Sequence, residues 1–463
     1  MKKTKIIRCL ASLEQDGVFR NDGIGNLWEY VHEPLGTWRK LSKEAVFQAI
    51  EEHLPDEGLL HSDIAALQTE LLYSRHFAEP KLAKPPDELL VAVENGVLNL
   101  ETHELLAKNP ALFLRGGLHI KYQCQSDAKD APCWTAYMQR SLDLPRDANL
   151  TSHPKIVRLY ESIGLTCTRL KGAKMVPIFI GSSNAGKSVI LLLIAQIAGQ
   201  ENCIGLSLQD IYDRFRTDFL GSRQIIIVHE IAGKPIKRLD FLKKFIAGEP
   251  LISEAKGRQP VEIRDYARAI MAANVLPVLG EIDQGGAFAG RLLVNVFTKN
   301  EIPVEERDPE LLQKLLDERD VIFSLALDAA AGLYARKMQF TAEPEGDALV
   351  LQYRNESDAI PRFLDDCCEE SSNAVLPVGE AYDGFVQYRR DNCLDSGSAI
   401  SRTVFRNQMA QLGFSFKKQC AHGFSNPVSC IFGLQWRKEA SPLWAQKETV
   451  ASPQMLEQRE KSE

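Results

Sequence analysis

The residues of this 463-residue chain that are best suited to chemistry form one run, GSSNAGKS, at positions 181–188, called here the glycine loop. The run fits the pattern G-x-x-x-x-G-K-[ST], whose glycines let successive backbone N–H groups face the oxygens of a triphosphate. Lys187 can reach the β- and γ-phosphates, and the Ser188 hydroxyl can hold Mg²⁺. We therefore predict a nucleotide site formed by Gly181, Ser182, Ser183, Asn184, Ala185, Gly186, Lys187 and Ser188.

The flanking sequence places this loop between a strand and a helix. Residues 175–181 (MVPIFIG) form an apolar run of strand length. Residues 188–199 (SVILLLIAQIAG) are apolar on all sides and end at a glycine, as a buried helix does. A glycine turn that arises by chance rarely has both flanks, so this context favours the nucleotide site.

An acidic residue ends the next apolar run. Residues 224–230 (QIIIVHE) predict a strand that ends in His229 and Glu230. A carboxylate there can meet Mg²⁺ or polarise an attacking water, which makes Glu230 the candidate base and a candidate magnesium ligand. His229 occupies the position at which many P-loop ATPases carry an aspartate that holds magnesium. The structural alternative for Glu230 is a solvated carboxylate at the end of a strand.

Two later polar residues complete the candidate catalytic set. Asn274 ends the apolar run 268–274 (RAIMAAN), where an amide can orient water or sense the γ-phosphate, although asparagine also commonly starts turns. Arg291 follows the glycine-rich segment 284–290 and could reach the ATP of a neighbouring subunit. A surface salt bridge is the alternative role for Arg291.

Apolar strands and helices alternate over residues 151–335, as they do in a mainly parallel sheet. We therefore predict an α/β domain there that positions these residues. Residues 291–297 (RLLVNVF) predict its last strand, and residues 308–336 predict a closing helical segment. Residues 1–150 mix short strands and helices and predict an α+β region. Within that region Asn95-Gly96 predicts a hairpin turn.

The bulk composition limits the possible partners and compartment. Lys and Arg total 55 against 62 Asp and Glu, so the net charge is 55 − 62 = −7, and any contact with nucleic acid must come from local basic patches. The ten cysteines show no metal-binding spacing and predict reduced thiols in a cytoplasmic protein. No secretory signal and no membrane span are predicted.

The C-terminal part contains such a basic patch. Residues 396–438 hold six Lys and Arg and no Asp or Glu, with a predicted helix (398–413) before two strands around a turn at 422–427. A helix followed by a basic hairpin is typical of a winged helix, predicted over 359–438, with a linker at 336–358 and a mobile tail at 439–463. A protein-binding winged helix or a solvated basic face is the alternative. The candidate DNA contacts here are Arg402, Arg406, Lys417 and Lys418.

The order of these motifs resembles that of the superfamily 3 helicases, most of all the phage/plasmid primase–helicase family with its poxvirus-type N-terminal region. The resemblance covers roughly residues 20–335 and rests on a common order of modest matches around the glycine loop. Beyond that loop, the stretches that carry it are NGVLNLETHEL (95–105), FRTDFLGSR (215–223), KKFIAGEP (243–250), ANVLP (273–277) and the end of AGRLLVNVF (289–297).

The resemblance implies an AAA+-like ATPase core that works as a homo-oligomer, a hexameric ring that uses ATP and Mg²⁺ on single-stranded and duplex DNA. By position, Lys187 and Ser188 match the phosphate-loop roles, and Glu230, Asn274 and Arg291 match the acid, the sensor and the arginine finger. The family places a DNA-tracking hairpin where Lys256 and Arg258 lie in this chain. A solvated basic turn is the alternative for these two residues.

The expected function is therefore ATP-dependent DNA unwinding during replication of a phage, a plasmid or a related mobile element, with possible origin binding and contacts to other replication proteins. His229 and Gly290 depart from the family, since relatives have an acid and a first arginine there, and both departures favour a weak ATPase. An ATP-dependent switch that binds an origin or loads other proteins without unwinding is the alternative, and a defence or packaging ATPase is a third. The ATPase-associated region begins almost at Met1, so primer synthesis is not expected.

Overall fold

A computed structural model describes residues 2–145, 147–213, 220, 223–231, 235–236, 238–253, 260–264, 267–279, 283, 286–298, 300–301, 303–357, 359–392, 400–419 and 427–437. The chain divides into two compact units. Unit 1 comprises Met1–Ala232, Lys244–Val275 and Leu292–Gly346, and unit 2 comprises Gly233–Lys243, Leu276–Arg291 and Asp347–Glu463. The domain boundaries expected from the sequence stay predictions. Among the helices described, none is both long and apolar enough to cross a membrane.

Unit 1 begins with helices and small antiparallel sheets. In chain order the elements are α1 (Lys2–Asp16), β1 (Phe19–Asn21), β2 (Leu27–Val31), β3 (Thr37–Lys40), α2 (Lys43–His53), α3 (His61–Tyr73), β4 (Leu90–Val93), β5 (Gly96–Asn99), β6 (Leu105–Leu106) and α4 (Pro132–Ser141). The predicted hairpin is present as β4–β5, but Val93 pairs with Gly96. The turn is therefore formed by Glu94 and Asn95, one residue earlier than Asn95-Gly96.

A five-stranded parallel sheet follows and makes the fold mixed α/β. Its elements are α5 (Pro154–Cys167), β7 (Val176–Ile180), α6 (Lys187–Ala198), β8 (Cys203–Gly205), α7 (Leu208–Ile211), β9 (Ile225–Val228), α8 (Leu239–Ala247), β10 (Leu251–Ser253), β11 (Val261–Ile263), β12 (Arg268–Ala273), β13 (Leu292–Val296), α9 (Leu311–Asp317) and α10 (Arg319–Ala335). The strand order is β13-β7-β12-β9-β8, so β12 lies between β7 and β9.

The core explains why these segments form strands and helices. Every residue of β7, β9 and β13 is buried, as expected for strands covered on both faces. Helices α5, α6 and α10 supply most of the covering side chains. The closing helical segment predicted over 308–336 is two helices, α9 and α10, which are separated at Glu318. The Glu318 carboxylate there accepts the backbone N–H groups of Cys133 and Trp134.

The remaining chain forms α11 (Pro344–Ser357), α12 (Ala359–Cys367), β14 (Cys368–Pro377), α13 (Val378–Asp391), α14 (Arg402–Gln411), β15 (Ser415–Gln419) and β16 (Val428–Trp436). The segment predicted as a polar linker, 336–358, is helical over most of its length as α11. In unit 2, β16 pairs antiparallel with both β14 and β15. Phe363, Phe385 and Phe405 are fully buried beneath this sheet. The predicted tail, 439–463, lies outside the described residues.

Candidate nucleotide-binding site

The parallel register brings three predicted groups to one edge of the sheet. Met271 on β12 is level with Ile178 on β7 and with Val228 on β9. The glycine loop, Asn274 and Glu230 therefore all follow the carboxyl ends of adjacent strands, which is where ligands bind in open α/β sheets. Strand spacing of about 4.8 Å puts the backbone of Glu230 roughly 10 Å from that of β7, with β12 between them.

Two elements outside the loop hold its shape. The hydroxyl of Tyr137, on α4, donates to the carbonyl of Gly186 at 2.9 Å. The N–H and hydroxyl of Ser182 both donate to the carbonyl of Thr298, just after β13, at 3.2 and 3.3 Å. Gly186 has φ of +100°, and a Cβ there would lie 2.6 Å from Oγ of Ser141. Only glycine satisfies both the backbone angle and the close approach.

Lys187 is folded back onto the loop that it belongs to. Its Nζ donates to the carbonyls of Gly181 at 2.8 Å and Ser182 at 2.5 Å, and to Oδ1 of Asn274 at 3.1 Å. The residue is only 7% exposed. This burial lowers the pKa of the Lys187 ammonium, because desolvation disfavours the charged form. Anionic phosphate oxygens in place of these neutral acceptors would stabilise the Lys187 charge better than the carbonyls do.

Asn274 connects the two ends of the glycine loop. While its Oδ1 accepts from Lys187, its Nδ2 donates to Oγ of Ser183 at 3.3 Å. Asn274 and Ser183 are exposed, whereas Lys187 is buried beneath them. The structure thus brings the amide of the middle strand into contact with the loop of the neighbouring strand. An amide in this position can exchange either contact for a phosphate oxygen or a water.

Glu230, His229 and Ser188 are all exposed at the same edge of the sheet. A hydroxyl and a strand-end carboxylate suit Mg²⁺, which keeps most of its ligands as water and phosphate oxygens. Within the described part of the chain, no three His, Cys, Asp or Glu side chains cluster as a metal cage. The donor set therefore fits a magnesium ion carried by the phosphates of a nucleotide better than a metal held by the protein alone.

Arg291 belongs to unit 2 and ends a short turn built around a buried carboxylate. Asp283 is 0% exposed and accepts the backbone N–H groups of Phe288 and Ala289 at 2.8 and 2.9 Å. Nη1 of Arg291 donates to the carbonyl of Ala287. Among the described residues, Nε of Arg291 is buried and has no hydrogen-bond partner. The turn therefore holds a guanidinium with an unused donor.

The predicted tracking hairpin is described only at its base. Leu251 pairs with Ile263 and Ser253 with Val261, so β10 and β11 form an antiparallel pair. Lys256 and Arg258 lie between these strands, in residues outside those that the structure describes.

The predicted basic groups of the C-terminal part are exposed, and three of them lie against aromatic rings. The guanidinium of Arg402 stacks 5.3 Å from the Tyr382 ring and lies 3.6 Å from the Asp383 carboxylate. Arg406 stacks 5.0 Å from the ring of Phe416. The acid beside Arg402 offsets part of the positive charge that the sequence suggested.

Lys417 and Lys418 are consecutive residues of β15, so their side chains point to opposite faces of the hairpin. Lys417 lies 5.7 Å from the ring of Phe432 on β16. A phosphate strand that approaches one face of the hairpin would meet one of these two lysines, and their contact with DNA stays a prediction.

Sequence reasoning missed the groups that support the loop from a distance. Tyr137 and Thr298 are such groups, and Glu301 is another, since its Oε1 accepts from Nδ2 of Asn184 at 2.5 Å and from Nη2 of Arg307 at 2.8 Å. None of these residues lies in a recognisable motif. Their roles depend on tertiary contacts that span many residues of sequence.

Replacing Tyr137 with phenylalanine is expected to weaken ATP binding about tenfold. The change leaves the Gly186 carbonyl without its donor, at a cost of about 1–3 kcal/mol, and 1.4 kcal/mol corresponds to a factor of ten in affinity. Titration with a fluorescent ATP analogue measures the effect.

Tyr160→Phe is the matched control for Tyr137→Phe. Tyr160 is equally buried and also packs against Trp134, whose indole N–H it accepts at 2.8 Å, but it does not touch the glycine loop. Equal loss of nucleotide affinity in both variants would show that the Tyr137 effect is only a general loss of stability.

Comparison with known proteins gives limited matches. Residues 179–291 match the model of a family described as "Family of unknown function (DUF5906)". No curated protein matches the chain. The chain is similar to the A form apo structure of the NrS-1 C terminal region, with 13% identity and a TM-score of 0.46, covering 92% of this chain and 99% of that one. It is also similar to another apo structure of the NrS-1 C terminal region, with 14% identity, a TM-score of 0.48 and coverage of 93% and 99%. Similarity at this level assigns no role to any residue.

Proposed function

We propose that the chain is an ATP-dependent DNA helicase of the superfamily 3 type, acting as a homo-oligomeric ring in the replication of a phage, a plasmid or a related mobile element. The observation that carries the proposal is the contact of Lys187 with Asn274, which joins the glycine loop to the tip of the adjoining strand. Together with the acid on the next strand, this supports a P-loop ATPase core of the AAA+-like type.

Each residue of the site has a role that follows from its position. The backbone of the glycine loop and the amino end of α6 bind the phosphates. Lys187 leaves the carbonyls of Gly181 and Ser182 and turns its donors to the β- and γ-phosphates. Asn274, released by this movement, orients the attacking water, and Glu230 takes its proton. Ser188 and Glu230 would hold Mg²⁺, which neutralises charge on the phosphate oxygens when bound.

Arg291 is proposed to act on the nucleotide of an adjoining subunit. An arginine finger neutralises the charge that develops in the transition state. Arg291 is partly exposed, which supports this role, because a fully buried guanidinium could not reach another subunit. An oligomer, expected to be a hexamer, would bring that nucleotide to it.

The DNA contacts are proposed on two elements. The paired strands β10 and β11 support a hairpin that would present Lys256 and Arg258 to single-stranded DNA. In unit 2, α13 and α14 followed by the β15–β16 hairpin support a winged helix, with Arg402 and Arg406 toward duplex DNA and one of the two hairpin lysines on a phosphate. The acid beside Arg402 weakens this second contact relative to the first.

Strand displacement tests the proposal. The purified protein is expected to unwind a forked duplex only with both ATP and Mg²⁺, and to form rings in particle images with an ATP analogue and single-stranded DNA. Mg-ATP at about one hundred times its Kd should raise stability by about 2.7 kcal/mol in thermal unfolding. Hydrolysis without displacement would favour the loading switch, and neither binding nor hydrolysis of ATP would overturn the motor.

A further inference from the structure

A recess of about 150 Å³ opens in unit 1 at the amino edge of the parallel sheet, called here the amino-edge recess. Its walls include Val176 and Pro177 at the start of β7, Gln224 just before β9, and Arg268 at the start of β12. The glycine loop follows the other end of β7, so the recess lies a full strand length, about 17 Å, from the nucleotide site.

The charged groups of this recess are all of one sign. Among its described lining residues there is no Asp or Glu, although the Glu262 carboxylate pairs nearby with one of the lining arginines at 2.7 Å. Part of the wall is apolar, formed by residues such as Val176 and Phe245. The cationic residues of the lining are Arg169, Lys171, Lys174, Arg264 and Arg268.

Two of these cations have donors available for a ligand. Lys171 and Lys174 are exposed at the rim, and in the part of the chain that the structure describes neither ammonium group forms a hydrogen bond or an ion pair. The arginines have other contacts: Arg169 donates to the carbonyl of Arg115 at 3.4 Å, and Arg264 pairs with Glu262. An incoming anion would therefore meet the two lysines first.

Helix capping does not account for these lysines. Helix α5 ends at Cys167 beside the recess, and cations near a helix carboxyl end stabilise its dipole. That effect fades beyond the last turn. Lys171 and Lys174 follow Cys167 by 171 − 167 = 4 and 174 − 167 = 7 residues. Their positive charge is therefore available to a partner other than the helix, although the Glu88 carboxylate, which accepts the Lys171 backbone N–H at 3.0 Å, offsets part of it.

The size and position of the recess define the ligand. Ligand pockets for whole drug-sized molecules enclose roughly 300–1,000 Å³, so this smaller recess suits one phosphate group rather than a nucleoside triphosphate. It also lies at the base of the β10–β11 pair, because Gly248 shortly precedes β10 and Arg264 directly follows β11. A DNA strand that contacts the described base of this pair would pass beside this recess.

We propose that the amino-edge recess binds a backbone phosphate of single-stranded DNA, with Lys171 and Lys174 as the contacting cations. The proposal extends the proposed helicase function, from which it takes DNA as the ligand. Ion pairing with phosphate releases counterions from the strand, so the contact should be seen in the salt dependence of binding.

The test is the double variant Lys171→Gln/Lys174→Gln, titrated without nucleotide against a fluorescent oligothymidylate of about 20 nucleotides. The plot of log affinity against log salt has a negative slope. Loss of two contacts should make that slope less steep by about 1.4, at roughly 0.7 per phosphate of a single strand. Affinity near 50 mM salt should fall on the order of tenfold. ATP hydrolysis without DNA should be unchanged.

Lys84→Gln/Lys121→Gln is the matched control, since both lysines are exposed on unit 1, do not line the recess, and form no ammonium hydrogen bond or ion pair within the described residues. Equal salt slopes for the two double variants would overturn the proposal. The proposal would also be overturned if the Lys171→Gln/Lys174→Gln variant lost thermal stabilisation by inorganic phosphate but kept its affinity for DNA, because the ligand would then be a small anion. A protein that hydrolyses no ATP but shows the slope change would disprove the proposed motor and leave the recess assignment standing.

Discussion

Lys187→Ala is expected to lower kcat for ATP hydrolysis by about 10²- to 10³-fold, the loss typical when one preorganised donor to transition-state charge is removed. Lys187 is the buried centre of the site, since its Nζ donates to the carbonyls of Gly181 and Ser182 and to Oδ1 of Asn274. Alanine has no group that can move from these acceptors to the phosphates. A coupled phosphate-release assay at saturating ATP measures the change.

Lys121→Ala controls for the loss of one positive charge on unit 1, because Lys121 is exposed and distant in sequence from the loop. Thermal unfolding should show both variants folded. Turnover by Lys187→Ala within a factor of a few of the parent protein would place hydrolysis elsewhere and remove the basis for the catalytic assignment.

Arg291→Ala is expected to have an equal or larger effect, about 10³- to 10⁵-fold on kcat, if the guanidinium neutralises the charge of the transferring phosphoryl group. Binding of ATP itself should change little, since the glycine loop is intact. Lysine at this position should rescue poorly, because a single ammonium cannot reproduce the planar fork of donors. The measurements are kcat and the Kd for a non-hydrolysed ATP analogue.

Subunit mixing separates a finger that acts across an interface from one that acts within its own chain. Lys187→Ala and Arg291→Ala subunits, each inactive, should recover part of the activity when mixed, because some interfaces then pair an intact loop with an intact arginine. A mixture as inactive as its components would contradict the action of Arg291 on a neighbouring subunit. Arg238→Ala, also in unit 2, controls for loss of an arginine.

Four of the five strands of the sheet were predictable because they are buried on both faces and therefore appear as continuous apolar runs, whereas the short edge strand β8, which is largely unburied, was not predicted. Residues 175–181 contain β7, and residues 268–274 contain β12 and the amide that follows it. Strand order was not predictable from these runs. That β12 inserts between β7 and β9, and so brings Asn274 to Lys187, depends on pairing that sequence periodicity does not encode.

The supporting contacts were not predictable for a related reason. Tyr137 reaches Gly186 from a helix that precedes the sheet, and Glu301 reaches Asn184 from the segment after the last strand. Helix α11 was not predicted, because it is rich in polar residues and its sequence therefore shows no clear apolar periodicity. A polar helix and a polar linker have similar compositions.

The amino-edge recess and the nucleotide site share two strands. Strands β7 and β12 begin at the recess with Val176 and Arg268, and end at the glycine loop and Asn274. Each spans about 17 to 20 Å of closely packed backbone. Energetic coupling through them would be reciprocal: the factor by which an occupied recess alters the affinity for ATP must equal the factor by which ATP alters the affinity of the recess for its own ligand.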